Sequence, residues 1–202
     1  MIHLLPAPNQ VTVLPSTCRV PTPLTARIPP NADPRVRHAL HELFPGLHHV
    51  AGHQPHPFIL LTEDPGVPES YRLRITPAGL TLSAPDAAGF FYALQTLRQI
   101  RQQADGLLPC LEIADAPAFP LRGCYLDVSR GRVPRLDMLK RRIRLLASLK
   151  INHLQLYFEH PFRFLFDPDI AGEDDAFDAD DLKTLDAFCR DHFIELVPSF
   201  TC

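Results

Sequence analysis

The chain has 202 residues, 46% of them hydrophobic, and a formal net charge of −3 at neutral pH. This length and apolar content suffice for one large domain or two small ones with buried cores. The slightly acidic balance gives no reason to expect a nucleic acid or an anionic membrane surface as a partner. No stretch approaches the about 18 apolar residues of a membrane-spanning helix, and the first ten residues lack the basic and apolar regions of a signal peptide. We therefore expect a cytoplasmic protein.

The cysteines and histidines show no metal-ligand spacing. The five cysteines are odd in number, widely separated and without a CxxC pair, so we expect neither a disulfide framework nor a zinc site. His48, His49, His53 and His56 lie among proline and glycine, with no predicted strand or helix to fix ligand geometry. We expect no metal and no cofactor.

Residues 1–115 predict a small α+β domain. The first 32 residues are rich in proline, and their short extended runs at 10–14 and 25–28 suit edge strands and connections, because proline cannot donate to a ladder. Asp33 and Pro34 have the N-cap and first-position pattern of a helix that reaches about Phe44.

Further along this domain, residues 57–62, 71–76 and 79–83 predict three strands, and Pro77 and Ala78 predict a tight turn between the last two. Asp86 precedes a helix with apolar residues at the i, i+3, i+4 and i+7 positions, and residues 107–113 return as a strand. We expect an antiparallel or mixed sheet with two helices on one face.

From residue 116 to residue 202 the pattern changes to alternating strands and helices. Strands are predicted at 122–128, 152–158 and 194–200, with a helix after the first strand, a loop at 161–177 and a helix at 180–192. This is the opening of a parallel α/β structure. A closed (β/α)₈ barrel takes about 250 residues, so we expect an incomplete (β/α)₈ TIM barrel of about three strands and two helices.

Three strings resemble the start of the catalytic barrel of glycoside hydrolase family 20, the β-N-acetylhexosaminidases: DAPAFPLRGCYLDVSRGRVP, LLASLKINHLQLYFEH and FIELVPSF. The preceding SYRLRITPAGLTLSAPDAAGFFYALQTLRQI, with LPCLEIADAP, is similar to the α+β domain that precedes that barrel. The resemblance covers about residues 10–202.

The resemblance implies retaining hydrolysis of terminal N-acetylhexosamine from a glycoconjugate or oligosaccharide. The acetamido oxygen of the substrate attacks the anomeric carbon, an Asp steadies the charge on the acetamide nitrogen, and a Glu protonates the leaving oxygen. In the family this Asp-Glu pair follows the fourth barrel strand, and here only three strands are predicted. The resemblance therefore implies that this chain contains no catalytic residue and is inactive by itself.

Arg130 resembles the arginine of the family that hydrogen-bonds the sugar hydroxyls. It follows the first barrel strand, where a guanidinium points into a barrel site and its fork of donors suits vicinal hydroxyls. The alternative is that Arg130 pairs with Glu159 or a loop Asp and holds the strand ends together. Asp127 is either a partner of Arg130 or a buried carboxylate bonded to backbone. Arg122, at the start of the strand, is interpreted as structural.

The second barrel strand departs from the H-x-H-x-x-D-D pattern of the family. The corresponding residues are Gln155, Tyr157, Glu159 and His160, and His160 falls where the family has the aspartate that pairs with the arginine. Glu159 and His160 are candidate substrate-binding residues, because they follow the carboxyl end of the strand; the alternative is a solvated loop start. His153, at the start of this strand, is interpreted as structural.

Two functions from different classes follow. The first is the N-terminal part of a β-N-acetylhexosaminidase, whose catalysis depends on residues outside this sequence. The second is a non-catalytic carbohydrate-binding or interaction module in which the small domain acts.

Overall fold

The computed structural model describes residues 2–50, 57–130, 133–159, 161–163 and 176–200. The chain divides into two compact units, Met1–Ala118 and Phe119–Cys202, just after the boundary predicted at residue 115. The elements, in chain order, are β1 Gln10–Arg19, β2 Thr25–Arg27, α1 Pro34–Leu43, β3 His48–His49, β4 Ile59–Glu63, β5 Tyr71–Thr76, β6 Gly79–Ala84, α2 Ala87–Gln103, β7 Leu107–Asp115, β8 Gly123–Asp127, α3 Leu136–Ser148, β9 His153–Phe158, α4 Ala179–Asp191 and β10 Glu195–Phe200.

The first unit contains a seven-stranded mixed sheet with the strand order β1-β7-β5-β6-β4-β2-β3. Strands β1, β7, β5 and β6 pair antiparallel, whereas β4 pairs parallel with β6 and with β2. An α+β domain with a mixed sheet is therefore confirmed.

The proline-rich beginning of the chain differs from the prediction in two respects. Strand β1 lies at the edge, as expected, but it continues through Pro15 to Arg19 because its register shifts between Val13 and Thr17. Strand β2 was predicted to suit an edge, and this was wrong: the two-residue strand β3 pairs with its outer side.

The β5–β6 hairpin confirms the predicted turn at Pro77 and Ala78, since Thr76 and Gly79 are register partners. Gly79 has φ +145°, and a Cβ atom there would lie 2.4 Å from the carbonyl oxygen of Phe58. Both the backbone conformation and the close strand approach therefore require glycine.

The helices of the first unit begin where the sequence predicts. Asp33 Oδ1 accepts from the backbone N–H of Arg35 at 2.8 Å, and Asp86 Oδ1 accepts from that of Gly89 at 2.7 Å. Helix α2 packs against β5 and β6, and α1 packs against α2. The core lies between α2 and the sheet. Alternate residues of β5 are buried, as are most residues in the first half of α2.

The second unit contains a three-stranded parallel sheet with the order β10-β9-β8. The central strand β9 buries Leu154, Leu156 and Phe158, and α4 packs against both β10 and α3. Strand-helix-strand alternation with parallel pairing agrees with the sequence. Leu182 and Phe188 of α4 are half-buried, and the cationic groups of Lys140 and Arg144 lie over the Phe188 ring.

Of the helices that the structure describes, none has the length and apolar content needed to cross a bilayer.

Candidate functional site

Arg130 lies three residues beyond the carboxyl end of β8, and its side chain is 71% exposed. Its Nη1 donates to Asp127 Oδ2 at 3.1 Å and its Nη2 donates to Glu159 Oε1 at 3.0 Å. A guanidinium has five N–H donors, so several remain for a ligand after these two bonds are made. Arg130 is thus anchored and still accessible.

Asp127 makes both kinds of contact that the sequence left open, with Arg130 and with the backbone, but its side chain is 26% exposed rather than buried. Its Oδ1 accepts from the backbone N–H groups of Ser129 and Arg130 at 2.9 and 3.2 Å, while its Oδ2 accepts from the Arg130 guanidinium. One carboxylate therefore fixes both the turn after β8 and the side chain that follows it.

Glu159 lies directly beyond β9 and is held through backbone and side chain. Its N–H donates to Ser129 Oγ at 2.7 Å. Its Oε1 accepts from Arg130 Nη2 and also from the Tyr157 hydroxyl, at 2.7 Å. The structure thus brings Glu159 and Arg130 together at the carboxyl ends of two paired strands. His160, the third predicted site residue, lies outside the described residues, so its place in the site stays a prediction.

Two tyrosines that the sequence analysis did not select border this cluster. Tyr125 and Tyr157 stack with ring centroids 5.9 Å apart, and the Arg130 guanidinium lies 5.9 Å from the Tyr157 centroid. Tyr125 is 58% exposed. Partial desolvation raises the pKa of its hydroxyl, and Tyr157 and Asp127 raise it further. The alternation of side chains along a strand could have indicated Tyr125, because residues two positions apart, such as Tyr125 and Asp127, lie on the same face of the sheet.

Arg122 lies at the other end of β8, and its guanidinium donates to backbone carbonyls. Its Nε donates to the carbonyl oxygen of Lys150 at 2.7 Å and its Nη1 to that of Phe119 at 2.9 Å. His153 Nδ1 lies 3.4 Å from Glu195 Oε2 at the same end of the sheet. These contacts agree with the structural interpretation of both residues.

The histidine run has more structure than the sequence indicated. The sequence predicted no strand at these histidines, and this was wrong, because His48 and His49 form strand β3. Strand β3 exists because its backbone pairs with that of β2. His49 Nε2 lies 2.6 Å from His41 Nε2, and burial and the neighbouring His41 lower the pKa of His49. Within the described residues no three His, Cys, Asp or Glu side chains form a possible metal cluster. His53 and His56 lie outside those residues.

The four cysteines that the structure describes are unpaired thiols. These residues are Cys18, Cys110, Cys124 and Cys189. Cys202 lies outside the described part of the chain.

The first unit contains a separate cavity of about 360 Å³ at the end of its sheet. Its polar lining includes Asp64, Arg72 and Asp115. Arg72 is 74% exposed and its Nε lies 4.0 Å from Asp64 Oδ2. This cavity has both hydrogen-bond donors and acceptors.

Comparison with known proteins matches residues 1–116, more than half of the chain, to the family model described as glycosyl hydrolase family 20, domain 2. The chain belongs to glycosyl hydrolase family 20. This family assignment agrees with the resemblance on which the sequence prediction was based.

Two individual relatives each match less than half of the chain. A beta-hexosaminidase of Akkermansia muciniphila is 39% identical over 92 residues, which are 44% of this chain and 18% of that protein. A beta-N-acetylhexosaminidase of Cellulomonas fimi is 40% identical over 101 residues, 48% of this chain and 20% of that protein. The matched regions thus amount to about a fifth of these relatives.

Solved structures match almost the whole chain. The family 20 beta-N-acetylhexosaminidase of Streptomyces coelicolor has a TM-score of 0.81 and 26% identity, over 96% of this chain and 45% of that one. A Streptomyces plicatus N-acetyl-beta-hexosaminidase, solved with Thio-NAglucal, has a TM-score of 0.80 and 27% identity, with the same coverage. The family 20 fold therefore extends from the first unit into the second.

Proposed function

We propose that this chain is the N-terminal portion of a retaining β-N-acetylhexosaminidase and that Arg130 binds the sugar in the cleaved position. The observation that carries the proposal is the geometry of Arg130. It follows a parallel strand at its carboxyl end, is oriented by two carboxylates, and remains 71% exposed with donors to spare.

The second unit fits the opening of a (β/α)₈ barrel. Strands β8, β9 and β10 are consecutive in the chain and adjacent in the sheet, parallel, and joined by crossovers that contain α3 and α4. Further strands of such a barrel would pair with the outer edges of β8 and β10. The whole fold class we propose is therefore a small α+β domain followed by an incomplete TIM barrel.

Relatives supply the chemistry that this proposal adopts. Two structures of a Streptomyces plicatus beta-hexosaminidase, each a mutant at one aspartate, are described as complexes with the product GlcNAc. An N-acetylhexosamine is accordingly the substrate group proposed here. The mechanism is substrate-assisted: the 2-acetamido oxygen attacks the anomeric carbon, and an Asp-Glu pair assists.

Within this chain the proposed task is binding and orientation. The Arg130 guanidinium donates to vicinal hydroxyls of the sugar, and Glu159 and His160 line the same side of the site. We propose that the Asp-Glu pair belongs to a fourth strand outside these 202 residues. A sugar contact that strengthens in the transition state lowers the barrier by several kcal/mol, on the order of 2–4.

The first test measures hydrolysis and sugar binding separately. The 202-residue chain should release no p-nitrophenol from p-nitrophenyl N-acetyl-β-D-glucosaminide, and turnover would show that the account of the missing catalyst is wrong. Titration with N-acetylglucosamine, followed by NMR, should show binding that Arg130→Ala abolishes. Arg141→Ala, on the exposed side of α3, is the matched control and should leave binding unchanged.

The second candidate function, a non-catalytic carbohydrate-binding module, is favoured by the polar cavity of the first unit. In that case Arg72→Ala, rather than Arg130→Ala, would remove N-acetylglucosamine binding. Because the two arginines belong to different units, the same titration with these two variants distinguishes the two functions.

A further inference from the structure

Tyr157 contacts both partners of the central ion pair in the candidate site. Its hydroxyl donates to Glu159 Oε1 at 2.7 Å, the oxygen that also accepts from Arg130 Nη2. Its ring lies beneath the Arg130 guanidinium, 5.9 Å from centroid to Cζ. The same side chain thus touches the acidic and the basic member of the pair.

The register of the parallel strands explains this arrangement. Asp127 of β8 and Tyr157 of β9 are register partners, so their side chains lie side by side on one face. Arg130 follows Asp127 by three residues, and Glu159 follows Tyr157 by two. Arg130 is therefore held between a carboxylate of its own strand and a tyrosine-carboxylate pair of the next strand.

The unused atoms of the cluster define what it can bind. Among the described residues Glu159 Oε2 accepts no hydrogen bond, whereas Oε1 accepts two. Arg130 likewise retains N–H groups beyond the two that bond to carboxylates. An acceptor next to donors suits vicinal hydroxyls, since each hydroxyl both donates and accepts.

We infer that Tyr157 is a positioning residue for the sugar-binding pair Arg130 and Glu159. Its hydroxyl directs Oε1 of Glu159 toward Arg130 and leaves Oε2 for the ligand, while its ring supports the guanidinium plane. The inference rests on the proposed function of Arg130, and it adds a residue at a position where the chain departs from the H-x-H-x-x-D-D pattern.

The test compares Tyr157→Phe with Tyr125→Phe in the 202-residue chain. Both changes remove one hydroxyl from the stacked pair, but the Tyr125 hydroxyl makes no hydrogen bond among the described residues. The first readout is the ¹⁵Nε–Hε NMR signal of Arg130, assigned with Arg130→Lys. The second is the dissociation constant for N-acetylglucosamine.

Tyr157→Phe should shift the Arg130 signal and speed its hydrogen exchange. It should also weaken N-acetylglucosamine binding by roughly tenfold, the effect of one hydrogen bond to a charged group. Tyr125→Phe should change neither readout. An unchanged Arg130 signal in Tyr157→Phe, or unchanged affinity when Arg130→Ala abolishes binding, overturns the inference.

Failure of the proposed function gives a different pattern. In that case Arg130→Ala leaves the sugar affinity unchanged, or the wild-type chain does not bind the sugar. The NMR signal then decides the positioning of Arg130 by itself: a shift in Tyr157→Phe but not in Tyr125→Phe supports it, and equal spectra overturn it.

Discussion

Asp127 and Tyr157 are register partners in neighbouring parallel strands, and the side chain of each contacts Arg130. The Asp127 carboxylate accepts three hydrogen bonds, from two backbone N–H groups and from the guanidinium. The cluster therefore joins the carboxyl ends of β8 and β9 as well as presenting Arg130.

Asp127→Asn should lower the free energy of unfolding by about 1 kcal/mol. The amide oxygen can still accept from the backbone, but the amide NH₂ then faces the Arg130 donors. Urea unfolding followed by circular dichroism measures the loss. The control is Asp191→Asn at the exposed end of α4, which should change stability by less than about 0.5 kcal/mol. Equal losses in the two variants would contradict this account of Asp127.

Asn152→Ala should destabilise the second unit by about 1–3 kcal/mol. Asn152 Oδ1 accepts from the backbone N–H of Arg122 at 2.8 Å, and its Nδ2 donates to the Pro120 carbonyl at 2.7 Å. Alanine leaves both groups without these partners.

The matched control for Asn152 is Asn31→Ala, because Asn31 makes one exposed hydrogen bond, to Glu63 at 3.2 Å. Thermal and urea unfolding should show a change below about 0.5 kcal/mol for this variant. A loss that is no larger for Asn152→Ala than for Asn31→Ala would show that the two hydrogen bonds of Asn152 do not stabilise the second unit.

Gly89→Ala should destabilise the first unit although alanine has the higher helix propensity. The propensity gain is about 1 kcal/mol. A Cβ at Gly89, however, would lie 2.3 Å from the Ser70 carbonyl oxygen and 2.9 Å from Ala84 Cβ, and this overpacking costs about 1–3 kcal/mol or more.

Gly123→Ala is the control for Gly89, since its nearest contact would be a His153 ring atom at 3.4 Å. We expect a net change within about 1 kcal/mol for this variant. The urea concentrations at the unfolding midpoint are compared for wild type, Gly89→Ala and Gly123→Ala. A Gly89→Ala protein more stable than wild type would refute the packing argument.

Cys189 should make the second unit sensitive to alkaline pH. Burial raises the pKa of this thiol from 9.0 to about 12, and Asp186 adds to the shift. The folded state therefore keeps the proton between pH 9 and 12, where the unfolded state loses it. The stabilisation is complete below pH 9 and is lost as the pH rises through this range. Cys189→Ala should lose less free energy of unfolding between pH 8 and 11 than wild type; equal losses would count against it.

The elements of the fold followed from local sequence signals. Asp33 and Asp86 cap their helices as predicted, and the Pro77-Ala78 turn joins its two strands. The errors concern pairing. Strand β3 consists of two polar residues without a periodic pattern, and it depends on backbone pairing with β2. The local sequence therefore gave no signal for this strand.

The candidate site was predictable only in part for the same reason. Arg130 and Glu159 were predicted as site residues because each follows the carboxyl end of a predicted strand. Asp127 was one of the partners predicted for Arg130. The role of Tyr157 depends on the register of β8 against β9, which brings residues 30 positions apart side by side. Such a relationship is set by packing of the whole sheet, not by the residues nearest in sequence.

Strand β7 lies between β1 and β5 although it is the last strand of the first unit to be synthesised. Translation proceeds at about 5–20 residues per second, so β1 is synthesised several seconds before β7 and has no strand partner during that time. An unpaired strand can join another chain in that interval. Pro15 and the register shift between Val13 and Thr17 interrupt the ladder of β1, so they also limit aggregation of the nascent protein.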